Sequence, residues 1–347
     1  MQISCNSVNV ATFTHSPLGM FETFAPYIAI LVGFVGLIWS ADRFVNGAAA
    51  IAAQFGMPTL LIGLTIVAFG TSAPEILVSI NAGLAGAGGL AVGNAVGSNL
   101  ANIGLVLGIT ALIAPLPISR RLLTREVVYV GAATLVGGWV IYDLNIFWYE
   151  TLALFAMLGF IIFLLIRQRS EHPEMAEAEE VEEITHLTHI STTKAWTLFA
   201  VGLILLIICS DILVWGATET ATRFGVSELI IGLTVVAIGT SLPELAASVA
   251  SALKGHHDIA LGNVLGSNMF NLLAVMAVPG LFDTLQVDSV AFSRDYLAMG
   301  GLTALLFGMM IVAVVTQKRA AKLPRWTGLL MLGPYIAYFV VLFKAQM

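Results

Sequence analysis

Charge is what this chain has least of. Of its 347 residues only 10% are Asp, Glu, Lys or Arg, while 58% are apolar, and the mean hydropathy is +0.93. Soluble domains carry about a quarter charged residues, so a cytosolic enzyme and a disordered chain are both excluded. Cysteine is equally scarce. Cys5 and Cys209 allow at most one bridge, which excludes a disulfide-framed secreted scaffold and leaves the compartment unspecified. No G-x-x-x-x-G-K-[ST] occurs, so the chain brings no P-loop ATPase of its own. Residues 1–21 contain neither Lys nor Arg and lack the basic n-region of a signal peptide.

What replaces the charge is a succession of long uncharged stretches: 23–41, 44–74, 76–119, 259–282, 296–317 and 326–343. Runs near 20 residues match a bilayer core of roughly 30 Å. The chain therefore reads as an all-α polytopic membrane protein, with ten transmembrane helices near 22–44, 57–85, 90–115, 124–142, 146–166, 195–216, 227–253, 258–282, 294–316 and 325–345. With the N-terminus outside, 12 of the 15 Lys and Arg residues face the cytoplasm, leaving Arg223, Arg294 and Lys344 outside. The positive-inside rule favours that orientation, with both termini external.

The net charge of −6 has a local source: seven glutamates lie between Glu171 and Glu183, and the rest of the chain carries about +1. Blocks of like charge are usually solvated linkers, and 168–194 reads as an acidic cytoplasmic connection between two halves, with His172, His186 and His189 in it. His256 and His257 read as surface residues of a short turn. Asp42 and Asp211 read as helix-end anchors, because polar groups near the interface need little compensation.

The halves are copies. A shift of 169 residues lays 42–104 over 211–273 without a gap, and 29 of 63 positions are identical. GLTIVAFGTSAPE (63–75) matches GLTVVAIGTSLPE (232–244), and GNAVGSNLAN (93–102) matches GNVLGSNMFN (262–271). Five spans separate the copies, so equivalent helices cross the membrane in opposite directions. The division is then a tail at 1–21, a first five-helix repeat at 22–167 with its motif at 63–102, the linker, and a second repeat at 195–347 with its motif at 232–271. Inverted repeats with Gly/Pro-interrupted helices in corresponding positions point to a secondary transporter with its site at the midplane.

Glu75 and Glu244 are the carboxylates deep within these spans. A charge at a helix centre costs roughly 2.5–3.5 kcal/mol on insertion scales, and no Lys, Arg or His lies centrally to offset it, which leaves protons or metal cations. Thr71 and Ser72, like Thr240 and Ser241, fall four and three residues before the glutamate and share its helix face. Pro74 and Pro243 free the carbonyls of Gly70 and Gly239. Ser98 and Asn102, and Ser267 and Asn271, add further oxygens at i, i+4. Two carboxylates among neutral oxygens suit calcium, which takes 6–8 oxygens at about 2.3–2.6 Å, and softer metals would call for Cys or His. The Gly93/Gly97 and Gly262/Gly266 pairs read as close-packing devices, and Asn94 and Asn263 as interhelical hydrogen-bonding residues that support the site.

GTSxPE followed by GNxxGSNxxN, present twice, resembles the paired repeats of the calcium/cation antiporter superfamily, and is most like bacterial calcium/sodium antiporters related to K-dependent Na/Ca exchangers. The resemblance implies that Glu75 and Glu244 coordinate Ca2+ with help from Thr71 and Thr240. It implies Na+ ligands from Ser72, Ser98, Ser241 and Ser267 and from the carbonyls of Ala68 and Ala237, with Asn102 and Asn271 completing the site. Several exchangers have Asp where this chain has Asn271, which removes a titratable charge. The expected activity is exchange of Ca2+ for Na+ by alternating access, with no cofactor, K+ or H+ as further transported ions, and the lipid bilayer and inorganic cations as partners. Neither nucleic acid nor an obligate protein partner is implied. Two ionised glutamates balance one Ca2+, so Ca2+/H+ antiport on the same site is the alternative, followed by an uncoupled cation channel. An intramembrane hydrolase would need a His or Lys to activate Ser72 or Ser241, and none is at hand.

Overall fold

The computed structural model describes residues 17–86, 88–171, 190–225, 237–282, 285–287, 289–317 and 321–344. The acidic stretch and most of the N-terminal tail lie outside them. The apolar stretches fold as helices because a helix satisfies its own backbone groups where no water is available. In chain order these are α1 (Pro17–Phe55), α2 (Thr59–Thr71), α3 (Ala73–Leu84), α4 (Gly88–Ile113), α5 (Arg120–Thr124), α6 (Glu126–Val140), α7 (Trp148–Glu171), α8 (Thr192–Arg223), α9 (Ala237–Gly239), α10 (Leu242–Leu253), α11 (His257–Leu281), α12 (Ala291–Gln317) and α13 (Trp326–Lys344). Among the described residues seven helices are long and apolar enough to cross a membrane, or eight if α2 and α3, bent by 46° where they join, count as one span. The integral-membrane character is therefore plain. The expected spans at 124–142 and 227–253 appear as the 15 residues of α6 and the 12 of α10, the residues just before α9 lying outside those described.

The longest helix does not end where the charge pair Asp42–Arg43 suggested. α1 continues to Phe55, and Phe44, Val45, Ala48 and Ile51 are fully buried beyond the charges. Arg43 bonds Asp42 at 2.6 Å and lies over the Trp39 ring at 4.5 Å, so the pair is neutralised locally and the helix has no reason to stop. Asp42 and Asp211 are accordingly interior to α1 and α8, not at their ends. His256 is also not a surface residue. Gly255, at φ 85°, lets the chain turn tightly, and His256 N-caps α11 with 8% exposure.

α1 and α8, which the duplication makes equivalent, run antiparallel in backbone contact. A Cβ on Gly33 would meet Leu213, one on Gly47 would meet Phe199, and one on Gly202 would meet Phe44. The remaining helices form a second body. Two short ladders join its halves, Leu116–Pro117 (β1) with Lys322–Leu323 (β4) and Asn145–Ile146 (β2) with Leu285–Gln286 (β3). At its centre α11 packs on α2, where a Cβ on Gly262 would come within 2.6 Å of the Leu60 carbonyl and one on Gly266 would press on the Leu64 carbonyl and Ala68. The close-packing role expected of that glycine pair is met. The stretch that the duplication sets against Gly93 and Gly97 lies outside the described residues.

Candidate cation site

Both GTSxPE segments break at the same place. Ser72 (φ −83°, ψ 6°) and Ser241 (φ −92°, ψ 5°) leave the helical region, and α3 and α10 restart with proline in the first turn. Proline supplies no N–H and fits the first turn of a helix, where that donor is unused. Each glutamate consequently enters on the first turn of a new helix. Glu75 is 1% exposed and Glu244 0%.

The motifs cross over. Ser72 Oγ, from the first copy, donates to Glu244 Oε1 of the second at 3.3 Å. Thr71 Oγ1 donates to Asn263 Oδ1 at 3.0 Å and lies 3.5 Å from Ser267 Oγ. Ser98 reaches the Glu75 carboxylate, and the two carboxylates are near enough to repel each other. The asparagines hold the broken helices in register: Asn94 Nδ2 donates to the Glu75 carbonyl at 3.1 Å and Asn263 Nδ2 to the Glu244 carbonyl at 3.3 Å. These are equivalent bonds in the two copies. The freed carbonyls are less available than the proline argument supposed. Gly239 O accepts from Ser210 Oγ at 3.1 Å, and Gly70 O accepts from a backbone N–H at the cap of the break. Ala68 O accepts from Ser72 N at 3.0 Å. Ala237 opens α9, and Thr240, partly buried, lies at the following break.

A set of buried polar atoms has no hydrogen-bond partner among the described residues: the oxygens Glu75 Oε2, Glu244 Oε2, Ser241 Oγ, Asn102 Oδ1 and Asn271 Oδ1, and the Nδ2 atoms of the same two asparagines. Each unsatisfied buried group costs about 1–3 kcal/mol. Asn102 and Asn271 each begin a π-helical turn, Asn102–Leu107 and Asn271–Val275, and such turns often mark functional positions. Among the described residues no three His, Cys, Asp or Glu side chains cluster. Any cation held here has two carboxylates and must be completed by neutral oxygens, which is hard-cation chemistry.

Several buried polar residues were not singled out from sequence. Ser79 and Ser248 are fully buried four residues beyond the glutamates, and Ser248 accepts from Asn263 Nδ2 at 2.9 Å. Asn99 Nδ2 donates to the Asn268 carbonyl at 3.2 Å, joining two equivalent residues of the copies. All four are identical between the copies, which was the available signal. Glu126, 4% exposed beside Arg121 and Arg125, is a further buried carboxylate.

Comparison with known proteins supplies an independent line. The family model described as sodium/calcium exchanger protein matches residues 25–167 and 194–344. The protein CaxA of Alkalimonas amylolytica is 42% identical over 321 residues, covering 92% of this chain and 98% of its own. The inner membrane protein YrbG of Escherichia coli (strain K12) is 35% identical over 316 residues, 90% of this chain and 95% of its own. Among solved structures, the sodium-calcium exchanger NCX_Mj superposes with a TM-score of 0.77 at 30% identity, covering 92% of this chain and 99% of that one.

Proposed function

The chain belongs to the sodium/calcium exchanger family, and from that premise we propose that it is a secondary antiporter exchanging Ca2+ for Na+ by alternating access. It is a membrane transporter and not an enzyme. The observation that carries the finer reading is the crossed pair of GTSxPE breaks, which brings two buried glutamates together with unpartnered oxygens from both copies. Glu75 and Glu244 bind Ca2+ with Thr71 and Thr240. Ser72, Ser98, Ser241 and Ser267, with the carbonyls of Ala68 and Ala237, serve Na+, and Asn102 and Asn271 complete both sets. Asn94 and Asn263 hold the broken helices in place.

The architecture in this reading is ten spans in two inverted five-helix repeats. The antiparallel contact of α1 with α8 supports the inversion, and the separate matching of 25–167 and 194–344 supports the division. Contacts at the two ends of the molecule agree with the charge-based orientation. Arg223 bonds the Thr23 carbonyl on the side read as external, while Gln54 bonds the Ile190 carbonyl and β1 pairs with β4 on the side read as cytoplasmic. Both termini are then outside a bacterial inner membrane.

Calcium flux into proteoliposomes, with Na+, K+ and pH gradients imposed separately and the membrane potential clamped, tests the proposal. Uptake driven by an outward Na+ gradient is the expected result. Uptake that follows only a pH gradient would replace Na+ by H+, and flux indifferent to every counter-gradient would overturn antiport.

A further inference from the structure

The duplication allows a question that a single-copy protein does not: which contacts does one half make that its equivalent does not? α1 packs along α10, and Ala246, Ala247 and Ala250 of α10 contribute to the apolar cluster around it. The equivalent pairing, α8 with α3, has no comparable contact. Leu77 and Asn81, the counterparts of Ala246 and Ala250, are exposed. The α1–α8 pair therefore sits off centre against the rest of the molecule.

Its own symmetry locates the centre. Contacts between α1 and α8 keep a constant register, Gly33 against Leu213, Gly36 against Cys209 and Gly47 against Phe199. With the repeat offset of 169 residues, the two helices cross the pseudo-twofold axis near Ile38 and Ile207. Asp42 lies one turn from that point, and Asp211 lies one turn away on the other side. Asp42 bonds Lys254 Nζ at 2.5 Å, just past the end of α10, and also receives Arg43 and Asn46. Asp211 stands where Ala85 and Ile212 replace Lys254 and Arg43, and it has no basic partner among the described residues.

We propose that Asp42 and Lys254 are positioning residues of the transport cycle, a latch closed in one access state and broken in the other. The proposal rests on the inverted-repeat reading. When the α1–α8 pair shifts to the mirror position, Asp42 leaves Lys254 and Asp211 approaches Ala85, where no cation waits. The exchanger is thereby biased toward the state with α1 against α10, closed on the side read as cytoplasmic and open outward.

Paired cysteines test this in a chain carrying Cys5→Ser and Cys209→Ala. Asp42→Cys with Lys254→Cys should cross-link through a short bifunctional thiol reagent with a reducible link, since the native pair meets across the length of the Lys254 side chain, and Ala85→Cys with Asp211→Cys should also cross-link, through the opposite state. With all four cysteines present, either cross-link should prevent the other. The 42–254 cross-link should abolish Ca2+ uptake, with recovery on reduction. A 42–254 cross-link that leaves uptake intact would make the contact static and overturn the proposal, as would both cross-links forming in one molecule. Cross-link exclusivity is read on gels without any transported ion, so a protein that moves no Ca2+ would sink the exchange reading while leaving the latch testable. Without cross-linking, Lys254→Ala should shift the access-state ratio about two- to fivefold inward, the range of a partly exposed ion pair. Asp42→Lys with Lys254→Asp should restore it, and Ala85→Lys should shift it in the same direction as Lys254→Ala. Failure of the charge reversal to restore the ratio would refute an ionic latch.

Discussion

Replacing Glu244 by Gln keeps the shape of the site and removes half its charge. Gln can still accept from Ser72 Oγ, which lies 3.3 Å from Glu244 Oε1. Two ionised glutamates neutralise one Ca2+, and no other acid is among the ligands named. With one of them gone, the loaded site carries +1 at a place where both glutamates are at most 1% exposed. Breaking a buried charge set by deleting one partner costs about 3–5 kcal/mol, and each 1.4 kcal/mol is tenfold in affinity. Ca2+ binding should therefore weaken by roughly two to three and a half powers of ten. The measurements are 45Ca2+ uptake into Na+-loaded proteoliposomes against external Ca2+, and equilibrium binding in detergent. In buffer without Ca2+ or Na+ the variant should unfold at the same or a higher temperature, because an uncompensated buried charge has gone. If Glu75→Gln and Glu244→Gln both keep half-saturation within threefold of the parent, the glutamates do not hold the calcium and the assignment fails.

Other consequences follow from neighbouring groups. Asn271→Asp adds a third carboxylate, so a Ca2+-loaded site would carry −1, and uptake should become dependent on added K+ or on pH; uptake unchanged across both titrations would place Asn271 away from the ions. Gly262→Ala puts a Cβ 2.6 Å from the Leu60 carbonyl and 2.9 Å from Gly63 Cα. Both are backbone atoms that cannot rotate away, so α2 and α11 must part, at about 1–3 kcal/mol for overpacking. A lowered unfolding temperature is expected, whereas Gly308→Ala, with nothing within 4 Å of the new Cβ, should be neutral or slightly stabilising.

Much of this was legible in the sequence because membrane burial makes polar residues conspicuous. Glu75 and Glu244 stood out by cost, their hydroxyl neighbours by helical spacing, and the duplication pointed to the same residues twice. Helix ends were harder. The Asp42–Arg43 pair looked like an interface and is an internally neutralised site within α1, because charge counting does not register that Lys254, distant in sequence, bonds Asp42 at 2.5 Å. The released glycine carbonyls were overestimated for a similar reason: local geometry frees Gly239 O, but Ser210 of another helix takes it up. Ser79, Ser248, Asn99 and Asn268 were passed over because single polar residues in a helix carry no spacing signature until their partners are known.

The two short ladders bear on how such a molecule is held together. β1 belongs to the first half and β4 to the second, and the same is true of β2 and β3. Each half thus supplies one edge of both ladders, and α2 and α11 interlock between them. All three contacts lie among described residues on either side of 172–189. Expressed as two chains divided within 172–189, the two parts should therefore still co-purify, because each ladder and the α2–α11 contact need a strand or helix from both.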